Sequence, residues 1–392
     1  MLTVQQSPTD PDFVQDPYPF YTRLREAGDL VWWDEYDMPC ATTFRAVHSL
    51  LRDRRFGREI PAEMATPLPD HLAPFYAVEA HSMLELEPPR HTRLRSLVLR
   101  AFTSRRIKEL GPEITQLAHA QIDAFPSGQP FDVLSTFCQP IPVIVIARLL
   151  GVPDHMAPSL LTWSNTMVAM YQANRTYETE CRAADAAKAF SEFLTAYINT
   201  RRKDPRDDLI THLIAAEESG EKLSTNELIT TCILLLNAGH EATVHTLGNG
   251  IKLLLEQNHA VVPDKPDLTC EEILRFDPPL HMFSRYAYED ITAFGHTFRR
   301  GDQVALLLAS ANRDETHWEK ADIFEPTRHI TQNASFGGGL HFCVGAPLAR
   351  LELQIALPIL FKRCPTLRLA SKPRYANMYH FHGLDSLMVA TN

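Results

Sequence analysis

Residues 335–353 read "SFGGGLHFCVGAPLARLEL". Three consecutive glycines (Gly337, Gly338, Gly339) lead through His341 to one thiol, Cys343, and Gly345 and Pro347 then open a run of helical period. A packed core gains nothing from so permissive a backbone, so something must approach the main chain there. A thiolate just before a helix N-terminus is stabilised by the helix dipole and by unpaired N–H groups. Pro347 suits a first helical turn. The competing reading makes Cys343 a small buried hydrophobe. Zinc is poorly served, because His341 and Cys343 have no second Cys/His pair nearby. A nucleotide loop would need GxxxxGK inside a βαβ unit, and neither is present.

The surrounding chain of 392 residues is 45% hydrophobic and 22% charged, ordinary globular composition with material for a large core. Length alone suggests two or three domains, although some folds of this size are one unit. A net charge of −10 argues against nucleic acid or an anionic membrane as main partner. The seven cysteines are scattered, odd in number and free of CxxC spacing, which favours a reducing compartment. With no signal-like start and no window of eighteen apolar residues, no membrane anchor is expected and the location should be cytoplasmic. The pattern predicts a short helix in "PFYTRLREAG", strand-like "LVWWDEYDMPCATTF", and a long irregular loop over 58–82 with four prolines. From 90 to 260 it is helical almost throughout, broken at "GVPDHMAP" and "ANRTYE". Short strands such as "DQVALLL" and a long coil over 313–340 follow. The fold class is mainly α with small β-sheets (α+β), one domain over 1–392 with no visible point to cut it.

"STNELITTCILLLNAGHEATVHTLGNGIKLLLEQ", residues 224–257, starts with a capping box, Ser224 with Glu227 three residues on. Such a helix would reach roughly 50 Å. Ile233–Leu236 is apolar on every side, which places the helix deep inside. Its centre nevertheless holds Asn237, Gly239, His240 and Glu241. Glycine costs about 1 kcal/mol in a helix interior, and a buried carboxylate costs far more unless paired. Rules broken together at a helix midpoint suggest a site. The bland alternative has His240 and Glu241 facing solvent while Gly239 permits a close helix crossing. Zinc-protease geometry fails, since His240 and His245 stand roughly 140° apart around a helix.

Elsewhere "CEEILRFDPP" sets Glu272 and Arg275 on one helical face, and His91 and Arg95 share another at i, i+4. Each is unremarkable alone, as are Arg285 and His341. Together with the opening stretch, however, these blocks resemble the cytochrome P-450 superfamily, in order along nearly the whole chain. "FGGGLHFCVGAPLAR" matches its haem-binding signature, Phe-Gly-Gly-Gly-x-His-x-Cys-x-Gly; "DPYPFYTRLREAG", "EPPRHTRLRSLVLRAFT", "NAGHEAT", "EEILRFDPP", "SRYAYED" and "ANRDETHWEKADIFEPTRH" match further blocks.

The resemblance implies haem b between the long helix on the distal side and the Cys-loop helix on the proximal side. Cys343 would be the iron ligand, a thiolate that favours O–O cleavage. Phe336, Gly337 and Gly345 would border the cofactor beside Ala238, and His91, Arg95, Arg285 and His341 would meet its propionates. Glu272, Arg275 and Arg328 would hold the fold. Gly239 would make room for O2, and Glu241 matches the acid of the family's acid–alcohol pair. The chain departs at the next residue: Ala242 stands where the alcohol is usual, with Thr243 one step on. The implied activity is hydroxylation or epoxidation of a lipophilic small molecule. Electrons would come from a ferredoxin and an NAD(P)H-dependent ferredoxin reductase, received near Arg100, Arg105 and Arg106. The pocket would draw on Met167, Met170, Leu234, Asn237, Leu280, His281, Phe283 and Phe381. Ala242 keeps a peroxide-driven or non-monooxygenase haem-thiolate enzyme as the alternative, with a haem-bound sensor or carrier behind it.

Overall fold

The structure, a computed structural model, describes residues 1–172, 175–218, 220–257, 265–379 and 381–391. The end of the expected helical stretch (258–260) and part of the break "ANRTYE" lie outside them.

Seven helices position the site: α1 (Arg90–Ala101), α2 (Pro140–Leu150), α3 (Ala157–Val168), α4 (Tyr177–Lys203), α5 (Thr225–Glu256), α6 (Pro266–Phe276) and α7 (Ala346–Arg363). Helix α5 is the spine and packs against α2, α3, α4, α6 and α7. Its start is the capping box: Glu227 N–H donates to Ser224 Oγ, and Ser224 N–H donates to the Glu227 carboxylate at 2.8 Å. Arg93 also bonds Glu227 and so ties α1 to the head of α5. Close helix crossings do occur on α5, but at Gly250, where a Cβ would stand 2.8 Å from Ile273. At Gly239 a Cβ would meet Ile146 at an ordinary 3.5 Å. Protein packing therefore does not require that glycine.

Six strands form the largest sheet: β1 (Leu2–Val4), β2 (Leu30–Trp33), β3 (Met38–Ala41), β4 (Phe56–Gly57), β5 (Met282–Ala287) and β6 (Gln303–Leu307), in the order β1-β2-β3-β6-β5-β4. The aromatic stretch forms the antiparallel β2–β3 pair, Leu30 opposite Ala41, and Val304 of β6 faces Arg285 of β5. Helix α6 ends where proline chemistry says it should, at Phe276 before Asp277 and Pro278.

The expected irregular loop over 58–82 is more ordered than its prolines suggest. It holds turns at Ala62–Met64 and Asp70–Leu72 and a helix at Ala73–Glu79 with Pro74 in its first turn. Proline's fixed φ is already helical at that position, and burial of Phe75 and Val78 secures the helix. The coil over 313–340 is held by side chains instead. Arg275 donates to the carbonyls of Asn312, Ala321 and Ile323, and Arg328 to those of Glu319, Lys320 and Ile323. Both arginines converge on Glu272, Arg275 through two bonds of 2.7 Å and Arg328 at 3.2 Å. The segment that leads into the cysteine loop is thereby fixed to α6.

Candidate functional site

The loop owes its shape to glycine at two points. Gly337 and Gly339 adopt φ of +68° and +65°, and a Cβ at 339 would run into the Leu51 carbonyl. Cys343 N–H donates to the Phe336 carbonyl at 3.1 Å and closes the loop, while the Arg350 guanidinium lies 4.5 Å from the Phe336 ring centroid. The thiol stands three residues before α7. Burial pushes its pKa up; the Gly345 and Ala346 N–H groups, Arg95 and Arg350 pull it down, and the net shift is upward. The residue is nonetheless exposed. Dense protein on one side and accessible space on the other is the arrangement of a ligand atom.

Cations gather beside this loop. Arg95 donates to the Phe342 carbonyl at 2.6 Å, and the His91 and His341 rings lie 4.4 Å apart. His91 is buried, its Nδ1 has no partner, and burial followed by His341 and Arg95 pushes it down to about 4. Arg285 is 2% exposed, and its hydrogen bond goes to the neighbouring Ser284 carbonyl. Burial and then Arg58 lower it to about 9. His341 differs, since its Nε2 lies 2.8 Å from Glu87 Oε1 and that same oxygen accepts the Arg58 N–H.

Across α5, Leu234, Glu241 and Ala242 are half-buried and Ala238 is exposed, although Leu235, Leu236 and His240 around them are buried. Positions i, i+4, i+7 and i+8 form one stripe, so this face of a central helix borders open space. Thr243 is buried and its hydroxyl donates back to the Gly239 carbonyl at 3.2 Å. It does not replace the hydroxyl missing at Ala242. Glu241 sits between two imidazoles, His240 Nε2 at 3.2 Å and His245 Nε2 at 3.1 Å. Burial alone would raise its carboxyl; the two histidines override that and hold it far below the usual carboxylate range.

Residues 69–261 and 267–374 match the family model described as Cytochrome P450. The chain belongs to the cytochrome P450 family. It is 34% identical to the polyketide biosynthesis cytochrome P450 PksS of Bacillus subtilis (strain 168), covering 98% of both chains. It is 39% identical to the mycinamicin IV hydroxylase/epoxidase of Micromonospora griseorubida over 73% of each. Among solved structures, P450BioI in complex with an acyl carrier protein ligated to hexadec-9Z-enoic acid superposes with a TM-score of 0.91 at 33% identity, covering 97% of this chain and 99% of that one. The chain is thus a P450 monooxygenase with a mainly helical fold, and its cofactor is haem b held through a cysteine thiolate. Among the described residues no helix is long and apolar enough to cross a membrane.

The residues of this P450 fit that cofactor. A buried guanidinium that makes no ion pair among the described residues and an orphaned imidazole nitrogen suit the acidic edge of a porphyrin. An accessible thiol with two N–H groups aimed at it suits iron. Gly345 carries no φ demand, and a Cβ there would meet Cys343 Sγ at 3.8 Å. Sequence reasoning gave no role to Arg58 or Glu87, two more charges in this cluster, because nothing in a proline-rich loop or in the block "EPPRHTRLRSLVLRAFT" marks which side chains turn inward.

The expected pocket lining needs correction. His281 has no exposed surface; its Nδ1 bonds Tyr21 Oη at 2.9 Å and its ring lies against His382, so it belongs to an aromatic core. With Asp277 these buried histidines bring possible metal-ligating atoms within 4.8 Å of one another. Met170 is also core. Met167 is buried too, its sulfur 3.9 Å from Asn237 Nδ2, and Asn237 Oδ1 has no partner. Leu280 and Phe381 remain half-buried and pair in a β-bridge, with Phe381 5.9 Å from the His245 ring. Phe283 is half-buried beneath Arg58 and Arg285, beside Gly337. Period places apolar residues on faces; it does not say whether a face meets a void or a neighbour.

Proposed function

We infer that this P450 hydroxylates or epoxidises a lipophilic small molecule, with Cys343 as the iron ligand and O2 as co-substrate. The observation that carries this is the accessible sulfur of Cys343 with the Gly345 and Ala346 N–H groups aimed at it. When bound, haem supplies the activation of dioxygen, one oxygen atom entering the substrate and the other leaving as water. The protein's own part is positional. His91, Arg95 and Arg285 balance the acidic edge of the cofactor. Glu272, Arg275 and Arg328 fix the approach to the ligand loop. Leu234, Ala238, Leu280, Phe283 and Phe381 offer apolar surface to a substrate, with Asn237 as one polar point. Glu241 holds a proton-transfer position beside Ala242.

The electron source fitting this family is a ferredoxin with its NAD(P)H-dependent reductase, and a cytoplasmic setting accompanies that reading. Of the cations suggested to meet the ferredoxin, Arg105 pairs with Glu109 and Arg106 bonds Asp207 and His212, so part of their charge is already neutralised. The deciding experiment is the reduced, carbon monoxide-treated difference spectrum. A red-shifted thiolate band is expected, lost in Cys343→Ser; pigment bound unchanged by C343S would refute the assignment. A lipophilic library is then screened for a substrate-induced spin-state change, and hits are turned over with ferredoxin and reductase or with peroxide.

A further inference from the structure

We propose that Asn165 and His240 form the route by which solvent protons reach Glu241, which gives this P450 a proton intake from the α3 side of α5. The inference rests on the reading of Glu241 as the distal acid.

Asn165 is exposed on α3, at a surface depression of about 230 Å³ that it lines with Thr166, Ala169, Gln172, Thr179 and Arg182. Its Oδ1 lies 3.0 Å from His240 Nε2. His240 is buried, and the same Nε2 lies 3.2 Å from Glu241 Oε2. One nitrogen thus touches both the solvent-facing amide and the carboxylate. The other, Nδ1, is 2.9 Å from the Leu236 carbonyl and 3.4 Å from Ser164 Oγ. A main-chain carbonyl and a carboxylate only accept hydrogen bonds, so each ring nitrogen points at an acceptor. Glu241 and Ala242 in turn belong to the α5 stripe that borders open space.

The transfer balances with protons alone. A proton passes from His240 Nε2–H to the ionised Glu241 carboxylate and on toward the stripe, and Nε2 takes its replacement from solvent on the Asn165 side. No electron moves. The third neighbour, His245, is a poor intake: it is buried against Phe381 and Gly383, where a Cβ would collide with the ring. It holds the carboxylate from within. Without a hydroxyl at 242, a fixed intake on the acid itself matters more.

The test uses the haem-loaded enzyme with a substrate found by the spin-state screen. Asn165→Leu covers the depression at an exposed position, and His240→Phe removes the relay. For N165L, ¹⁵N-histidine NMR of the reduced carbon monoxide complex should show His240 Nε2–H exchanging with solvent at least fivefold more slowly. Both variants should release several-fold more peroxide per NAD(P)H and show an altered solvent isotope effect, with the substrate-induced spin shift unchanged. Unchanged exchange and coupling in N165L overturn the route, as does a His245→Gln variant that reproduces the defect while H240F does not. If Glu241→Gln changes turnover and its isotope effect but N165L and H240F do not, the acid stands and the route falls. If E241Q changes neither, the underlying reading of Glu241 fails first.

Discussion

Replacing Arg275 with Met should be among the most damaging single changes outside the ligand loop. The side chain has no exposed surface, and all five of its N–H donors are used: two on Glu272 and the others on the carbonyls of Asn312, Ala321 and Ile323. Methionine keeps most of the volume but leaves Glu272 with only the Glu325 N–H at 2.8 Å and Arg328 at 3.2 Å. Removing one partner of a buried ion pair costs about 3–5 kcal/mol, and the stranded carbonyls add to that. Against a total of about 5–15 kcal/mol, the loss takes a large part of the stability. Denaturant unfolding of purified protein, followed by far-UV circular dichroism, should show it, and heating should give a melting point lower by roughly 4–6 °C. Arg275→Lys should recover little, because an ammonium offers three donors from one point rather than a planar fork. In a double-mutant cycle with Glu272→Gln, R275M should cost markedly less than in the wild-type background. A loss below about 1 kcal/mol for R275M would refute the reasoning, because the pair would then not hold the coil.

Two glycines should behave oppositely. Gly239→Ala meets only ordinary contact with Ile146 and should leave stability unchanged or raise it by up to about 1 kcal/mol, while carbon monoxide titration shows weaker binding. Gly339→Ala is forced into positive φ against the Leu51 carbonyl and should lose haem and about 2 kcal/mol or more, read from pigment content and unfolding. Ala242→Thr should not raise product formed per NAD(P)H, because a threonine there can back-bond to its helix as Thr243 does; a large gain would sink the idea. Burial, and then nearby cations, hold His382 well below its ordinary 6.5, so the unfolded chain binds protons there before the native one does as pH falls. Stability should decline below about pH 6.5, and His382→Gln should flatten that decline in urea midpoints measured between pH 7 and 5.

Local chemistry decided much of this protein. The capping box at Ser224 and Glu227, the stop before Pro278, the two positive-φ glycines of the ligand loop and the Pro347 helix start are rules acting within four residues, and all could be read from the chain. The order of the motifs pointed to the family. What the sequence could not decide was which faces meet. Ala238 and His240 are two residues apart on one helix, yet one borders open space and the other is buried against Asn165. His281 looked like pocket lining and is core, whereas Arg58 looked like loop and belongs with Glu87 to the charged cluster. Helical period fixes directions around an axis, but what stands in each direction is set by segments a hundred or more residues away. Only their assembly distinguishes an open wall from a packed one.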